Sequence, residues 1–136
     1  MTKVIQDIWI LDDNGIVLFS RVFHEKVETQ LFGALMSALD SFAHQLSDEG
    51  LNNFEISNMR FTLIKKRHFL FIANSSKKFK EKKVILELNT ISQKFISQYP
   101  DEFFKEWDND VSIFIDFKNK IESALEDPVK KFWEGF

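Results

Sequence analysis

A chain of 136 residues suits a single domain, and 44% hydrophobic content with sixteen Phe and three Trp supplies an aromatic core without staples. The net charge of −3 excludes a uniformly basic nucleic-acid binder. With no cysteine, disulfides, thiolate metal sites and prenyl or palmitoyl anchors are excluded, and a cytoplasmic location is expected.

The strand pattern starts almost at Met1, with no charged and apolar leader before it, and Thr2 stands where myristoylation needs glycine. No apolar run approaches the roughly 20 residues that span a bilayer. Val4 to Asp12 reads as a first strand, and Ile8-Trp9-Ile10-Leu11 is apolar without alternation, as in strands covered on both faces. Asp13-Asn14-Gly15 is a hairpin turn, because Asn-Gly accepts positive φ. Ile16 to Phe23 returns as a second strand, with Ser20 and Arg21 marking it as more exposed. Asp12-Asp13-Asn14-Gly15 has the look of a calcium-loop fragment. It lacks the twelve-residue ligand spacing and flanking helices, so no metal is assigned.

Val27 to Leu46 is an amphipathic helix around which the rest of the chain is expected to be arranged. Leu31, Ala34, Leu35, Ala38, Leu39, Phe42 and Leu46 recur every three or four residues and share a face. Glu28 or Thr29 is the candidate N-cap. Gly33 costs about 1 kcal/mol inside a helix relative to Ala, and either tolerance or a close backbone approach accounts for it. Ser47-Asp48-Glu49-Gly50 ends the helix. Strands are expected at Phe54 to Ser57, Arg60 to Lys65 and His68 to Asn74, the last again apolar on both faces through Phe69-Leu70-Phe71-Ile72. The two all-apolar strands should lie together in the sheet centre.

Glu81 to Tyr99 is a second long helix with a stripe of Val84, Leu88, Ile91, Phe95 and Tyr99, stopped by Pro100. Asp101 to Asp110 reads as a linker. Val111 to Leu125 reads as a helix burying Phe114, Phe117, Ile121 and Leu125. Asp127-Pro128 opens a short last helix, since Asp caps well and Pro fits the first helical position. The expected organisation is a domain over residues 1–126 and an amphipathic tail over residues 127–136.

This order, β-β-α-β-β-β-α-α, resembles the longin domain of the Roadblock and longin superfamily, and in particular stand-alone, archaeal-type longin proteins. The hairpin from Ile8 to Ser20 looks like the opening longin hairpin. Leu31 to Phe42, read as Leu-Phe-x-x-x-x-x-Ala-Leu-x-x-Phe, looks like its first helix, and Phe95, Tyr99, Trp107, Phe114 and Phe117 look like its closing region. The likeness covers Val4 to about Leu125, and the opening strand favours longin over Roadblock. It implies an α+β fold: a longin/profilin-like, five-stranded, mainly antiparallel sheet with helices on both faces. It further implies a non-enzymatic interaction module that binds or regulates a small Ras-like GTPase or another longin- or Roadblock-type protein, as a homo- or heterodimer, or that assembles a vesicle-trafficking complex. A structural subunit of a coat or tethering complex is the alternative. A small-molecule sensor ranks lower, because the Phe-filled core shows no obvious polar anchor.

Two candidate surfaces stand out. Lys65, Lys66, Arg67, Lys77, Lys78, Lys80, Lys82 and Lys83 crowd a segment whose one acid is Glu81. It reads either as a patch for anionic lipid or an acidic partner, giving peripheral membrane contact, or as a solvated face. In the tail, Val129, Phe132, Trp133 and Phe136 fall at i, i+3, i+4 and i+7, the spacing of a helix that docks in a partner's groove or folds back on its own domain. His24, His44 and His68 lack metal-ligand spacing. Neither a phosphate-binding loop nor a Gly-x-Ser-x-Gly elbow occurs, so no catalytic residue and no cofactor are assigned.

Overall fold

Segments that are apolar on both faces are stable only beneath two covering layers, and the chain builds those layers. In the computed structural model, which describes residues 3–122, β1 (Asp7–Leu11), β2 (Val17–Arg21), β3 (Asn53–Ile56), β4 (Met59–Lys66) and β5 (Phe69–Ser76) form one antiparallel sheet in the order β2-β1-β5-β4-β3. The two all-apolar strands lie side by side, as expected, with Trp9 opposite Ile72 and Ile10 opposite Phe71. Successive side chains point to opposite faces. Ile8, Ile10, Phe69 and Phe71 therefore enter one layer, and Trp9, Leu11, Leu70 and Ile72 the other.

The thicker layer lies under α2 (Glu81–Gln98), whose Val84, Leu88, Ile91 and Phe95 are fully buried. Phe95 is its hub. Its ring centroid lies 5.4 Å from Phe69, 5.9 Å from Phe71, 5.7 Å from Phe114 and 5.3 Å from Phe117. The expected linker contains a one-turn helix, α3 (Asp101–Lys105). The helix expected from Val111 begins as a 3-10 helix (Val111–Phe117) and becomes α-helical as α4 (Lys118–Ile121). The reason is visible in the spacing. Val111, Phe114 and Phe117 recur every three residues, the 3-10 repeat that stacks i over i+3, and Phe114 and Phe117 are both buried. Arg21, expected near solvent, is also buried: it donates to the Gln6 carbonyl at 3.0 Å and to Glu122 at 2.7 Å, and lies 3.7 Å over the Phe23 ring.

Tyr99 packs edge-on to Phe114 at 4.8 Å, and burial, with a smaller contribution from the Asp116 charge, raises its phenol above the ordinary value of 10.0. Only the unfolded chain then ionises in the window above pH 10, so stability is unchanged below it and falls as pH climbs toward the folded-state value. Tyr99 is the one tyrosine in the chain. Phenolate absorbance should therefore titrate at higher pH in the folded chain than in denaturant, and coincident curves would refute the burial assigned to it.

Candidate interaction surface

The opposite face of the sheet is covered by α1 (Thr29–Leu46), which connects β2 to β3. Glu28 caps its start: the carboxylate accepts from the Gln30 N–H at 3.1 Å and the Leu31 N–H at 2.8 Å, satisfying two donors that lack intrahelical partners. The helix meets the β1–β2 turn at glycine on both sides. Asp12 organises that turn by accepting from the Asn14 and Ile16 N–H groups at 2.9 and 3.0 Å, and Gly15 takes φ +83°. A Cβ on Gly33 would stand 2.6 Å from the Gly15 carbonyl oxygen and 2.6 Å from Val17 Cγ2. Of the two readings open for Gly33, close approach is the one the structure shows. Gly33→Ala would gain about 1 kcal/mol of helix propensity but overpack at about 1–3 kcal/mol, so a lower urea midpoint is expected. A raised midpoint would contradict the contact.

The helix rests on the sheet through a thin line of residues: Phe32, Gly33, Met36 and, further on, polar groups. Gln30 pairs with both backbone groups of Val17, accepting at 2.9 Å and donating at 3.1 Å. Asp40 accepts the Leu51 N–H at 3.0 Å and forms an ion pair with Lys65, which also donates to the Glu49 carbonyl at 2.8 Å. The apolar stripe expected to organise the fold consequently turns outward. Leu31, Leu35, Leu39, Phe42 and Leu46 are 53%, 49%, 44%, 65% and 77% exposed, while Met36 on the other side is buried. An expectation of core packing is thus corrected. Gly33 and Met36 lie on a different side of the helix from the leucines, and only that side fits against the turn.

This face runs along an 18-residue helix, about 27 Å at 1.5 Å per residue. Ile16 and Val27 are exposed as well. Contiguous apolar surface of this kind marks sites of association on soluble proteins. The stripe presents apolar side chains to solvent along the length of the helix.

The basic residues are distributed differently. Lys65 pairs with Asp40 of α1. Arg67, in the β4–β5 turn, pairs with Asp101 at the start of α3, and Lys77 pairs with Glu55 at 2.9 Å. The Lys77 hydrogen bond, followed by the charges of Lys77 and Arg60, lowers the Glu55 carboxyl below its ordinary value. Lys78 lies 5.4 Å over the Phe79 ring, Lys80 precedes α2, and Lys82 and Lys83 stand in its first turn. Strand pairing therefore divides the run among several places. Val129, Phe132, Trp133 and Phe136 lie outside the described residues. His44 neighbours Asp40 and Lys65, and among the described residues no group of three or more His, Cys, Asp or Glu could hold a metal. No described helix is long and apolar enough to cross a membrane.

Residues 6–100 match the family described as the first longin domain of FUZ, MON1 and HPS1. No curated protein sequence matches the chain. Among solved structures, Myxococcus xanthus MglB is similar over 70% of this chain and 83% of its own, with a TM-score of 0.59 and 13% identity. The Roadblock/LC7 domain from Streptomyces avermitilis is similar over 71% and 85%, with a TM-score of 0.54 and 12% identity. The gliding protein MglB from Thermus thermophilus is similar over 60% and 68%, with a TM-score of 0.51 and 13% identity. At these identities the likeness is one of fold.

Proposed function

Because the chain belongs to the family of first longin domains of FUZ, MON1 and HPS1, we propose that it is a protein-interaction module that binds or regulates a small Ras-like GTPase, with the outer face of α1 as its contact surface. The GTPase comes from what the longin resemblance implies. The place of contact comes from one observation, the exposed stripe Leu31, Leu35, Leu39, Phe42 and Leu46. Apolar anchors at i, i+4 and i+7 along a helix are the pattern that pairs with a groove or a second helix. In this reading the chain works through association, as a homo- or heterodimer, and needs no cofactor.

Titration with Ras-like GTPases, each loaded with GDP or a non-hydrolysable GTP analogue, tests the reading. Binding that depends on the nucleotide is expected. Absence of binding in both states counts against it. The second reading, a scaffold subunit without nucleotide-dependent contacts, draws on β3, an edge strand paired with β4 alone among the described residues and exposing Ile56. Equal binding in both nucleotide states would favour it. The basic residues and the tail are further candidate contacts. Light scattering of the full chain against one ending at Glu126 reports whether Val129, Phe132, Trp133 and Phe136 contribute to self-association.

A further inference from the structure

We propose that the cleft between the sheet and the β2–α1 connection is a binding site for an organic cation, an ammonium or guanidinium group carried on an apolar stem. The cleft has a volume of about 280 Å³ and is lined from β1, β4, β5, the β2–α1 connection and Phe32 of α1. That is at the lower end of small-molecule pockets, which begin near 300 Å³, and suits one small ligand or one side chain.

Its walls are aromatic. Trp9 and Phe32 stack with centroids 4.2 Å apart, and Phe61 lies 6.2 Å from each. Its polar end is a carboxylate. Asp7 is only 6% exposed and Asn74 only 3%. The Asp7 carboxylate accepts the Phe23 N–H at 3.0 Å and the Asn74 side-chain amide at 2.9 Å, while the Asp7 N–H donates to Asn74 Oδ1 at 2.8 Å. Two hydrogen bonds fill half of the roughly four acceptor positions a carboxylate offers. No Lys, Arg or His among the described residues forms an ion pair with it.

A buried carboxylate without a counter-charge is costly, and buried charges are ordinarily paired. Lys26 and His24 also line the cleft with Glu25, and neither forms an ion pair with the Asp7 carboxylate. Asp7 is therefore the charge that a ligand would meet without compensation. A donor-bearing cation answers both features: it hydrogen-bonds the free acceptor positions and is attracted to aromatic faces within about 6 Å. A neutral apolar ligand answers one. The ligand's source is either a free amine or a Lys or Arg side chain presented by a partner. The inference does not depend on the α1 surface or on a GTPase.

The test uses the whole 136-residue chain labelled with ¹⁵N, with the Trp9 indole resonance identified from Trp9→Phe. Probes are 2-phenylethylammonium, its neutral counterpart 2-phenylethanol, and N-acetyl-arginine methylamide. The ammonium should shift the Trp9 indole and the Asp7 and Phe23 amides, and bind at least about 10-fold tighter than the alcohol, as charge-assisted hydrogen bonds require. Asp7→Asn, with its fold verified by the remaining resonances, should abolish that preference. If that variant does not fold, the ammonium and alcohol compared on the unaltered chain decide. A tighter phenylethylammonium assigns the site to free amines, and a tighter arginine probe to a partner's side chain. Equal affinity for ammonium and alcohol, shifts confined to other residues, or no binding of either cation would overturn the site.

Discussion

Phe95→Ala should destabilise the chain by about 3–5 kcal/mol, the range for truncating a buried aromatic, and so remove a large part of a stability that for small domains is about 5–15 kcal/mol. Phe95 is fully buried and touches rings from three separate elements: Phe69 and Phe71 on β5, Tyr99 after α2, and Phe114 and Phe117 on the 3-10 helix. Its ring joins the closing segment to β5, beside the direct contact of Phe117 with Phe19 on β2. The cavity left behind is walled by other aromatic rings, which have few rotamers with which to close it. A urea titration followed by far-UV circular dichroism measures the loss. A shift under about 1 kcal/mol, typical of a surface site, would show that the closing segment is not anchored there.

Leu35→Lys combined with Leu39→Lys should leave the fold intact and weaken partner binding by at least about 100-fold. Both positions are exposed, and Lys matches Leu closely in helix propensity, so the free chain loses little. At an interface the same change places two charges against apolar surface. Central apolar anchors cost about 2 kcal/mol or more each when lost, and each 1.4 kcal/mol is a factor of ten in affinity. Leu86→Lys is the control, because Leu86 is exposed on α2 on the other side of the sheet. Binding titrations, and sedimentation as a reading of self-association, should respond to the α1 pair and not to the control. Unchanged affinity in the α1 pair would move the contact elsewhere.

The division between what the residues disclosed and what they hid has a physical basis. Strands that are apolar without alternation must be covered on both faces, so the pairing of the Trp9 and Phe71 segments was legible from Ile8–Leu11 and Phe69–Ile72 alone. The α2 stripe was legible for the same reason, since Val84, Leu88, Ile91 and Phe95 have no other place to go. The orientation of α1 was not. A period near 3.6 identifies an apolar side of a helix but does not say what lies against it. Here steric fit decides: Gly33 admits the Gly15 carbonyl, Asp40 reaches Lys65, and the leucines are left outside. Gly33 and Asp40 in an otherwise good helix were the available signal. The basic run is divided in space for a related reason. Neighbours along a strand diverge to opposite faces, and Lys65, Arg67 and Lys77 each find a different acid. The Asp7–Asn74 pair joins residues 67 positions apart and has no local signature at all.

Thiol labelling addresses the orientation of α1 most directly, because the chain contains no cysteine of its own. Leu39→Cys and Met36→Cys each introduce one thiol on adjacent turns of the helix. In the dilute, free chain the thiol at position 39 should react at close to its rate in denaturant, and the thiol at position 36 at least about 100-fold more slowly, because it waits on opening of the structure. Equal rates, or faster reaction at position 36, would contradict a helix that turns its leucines toward a partner.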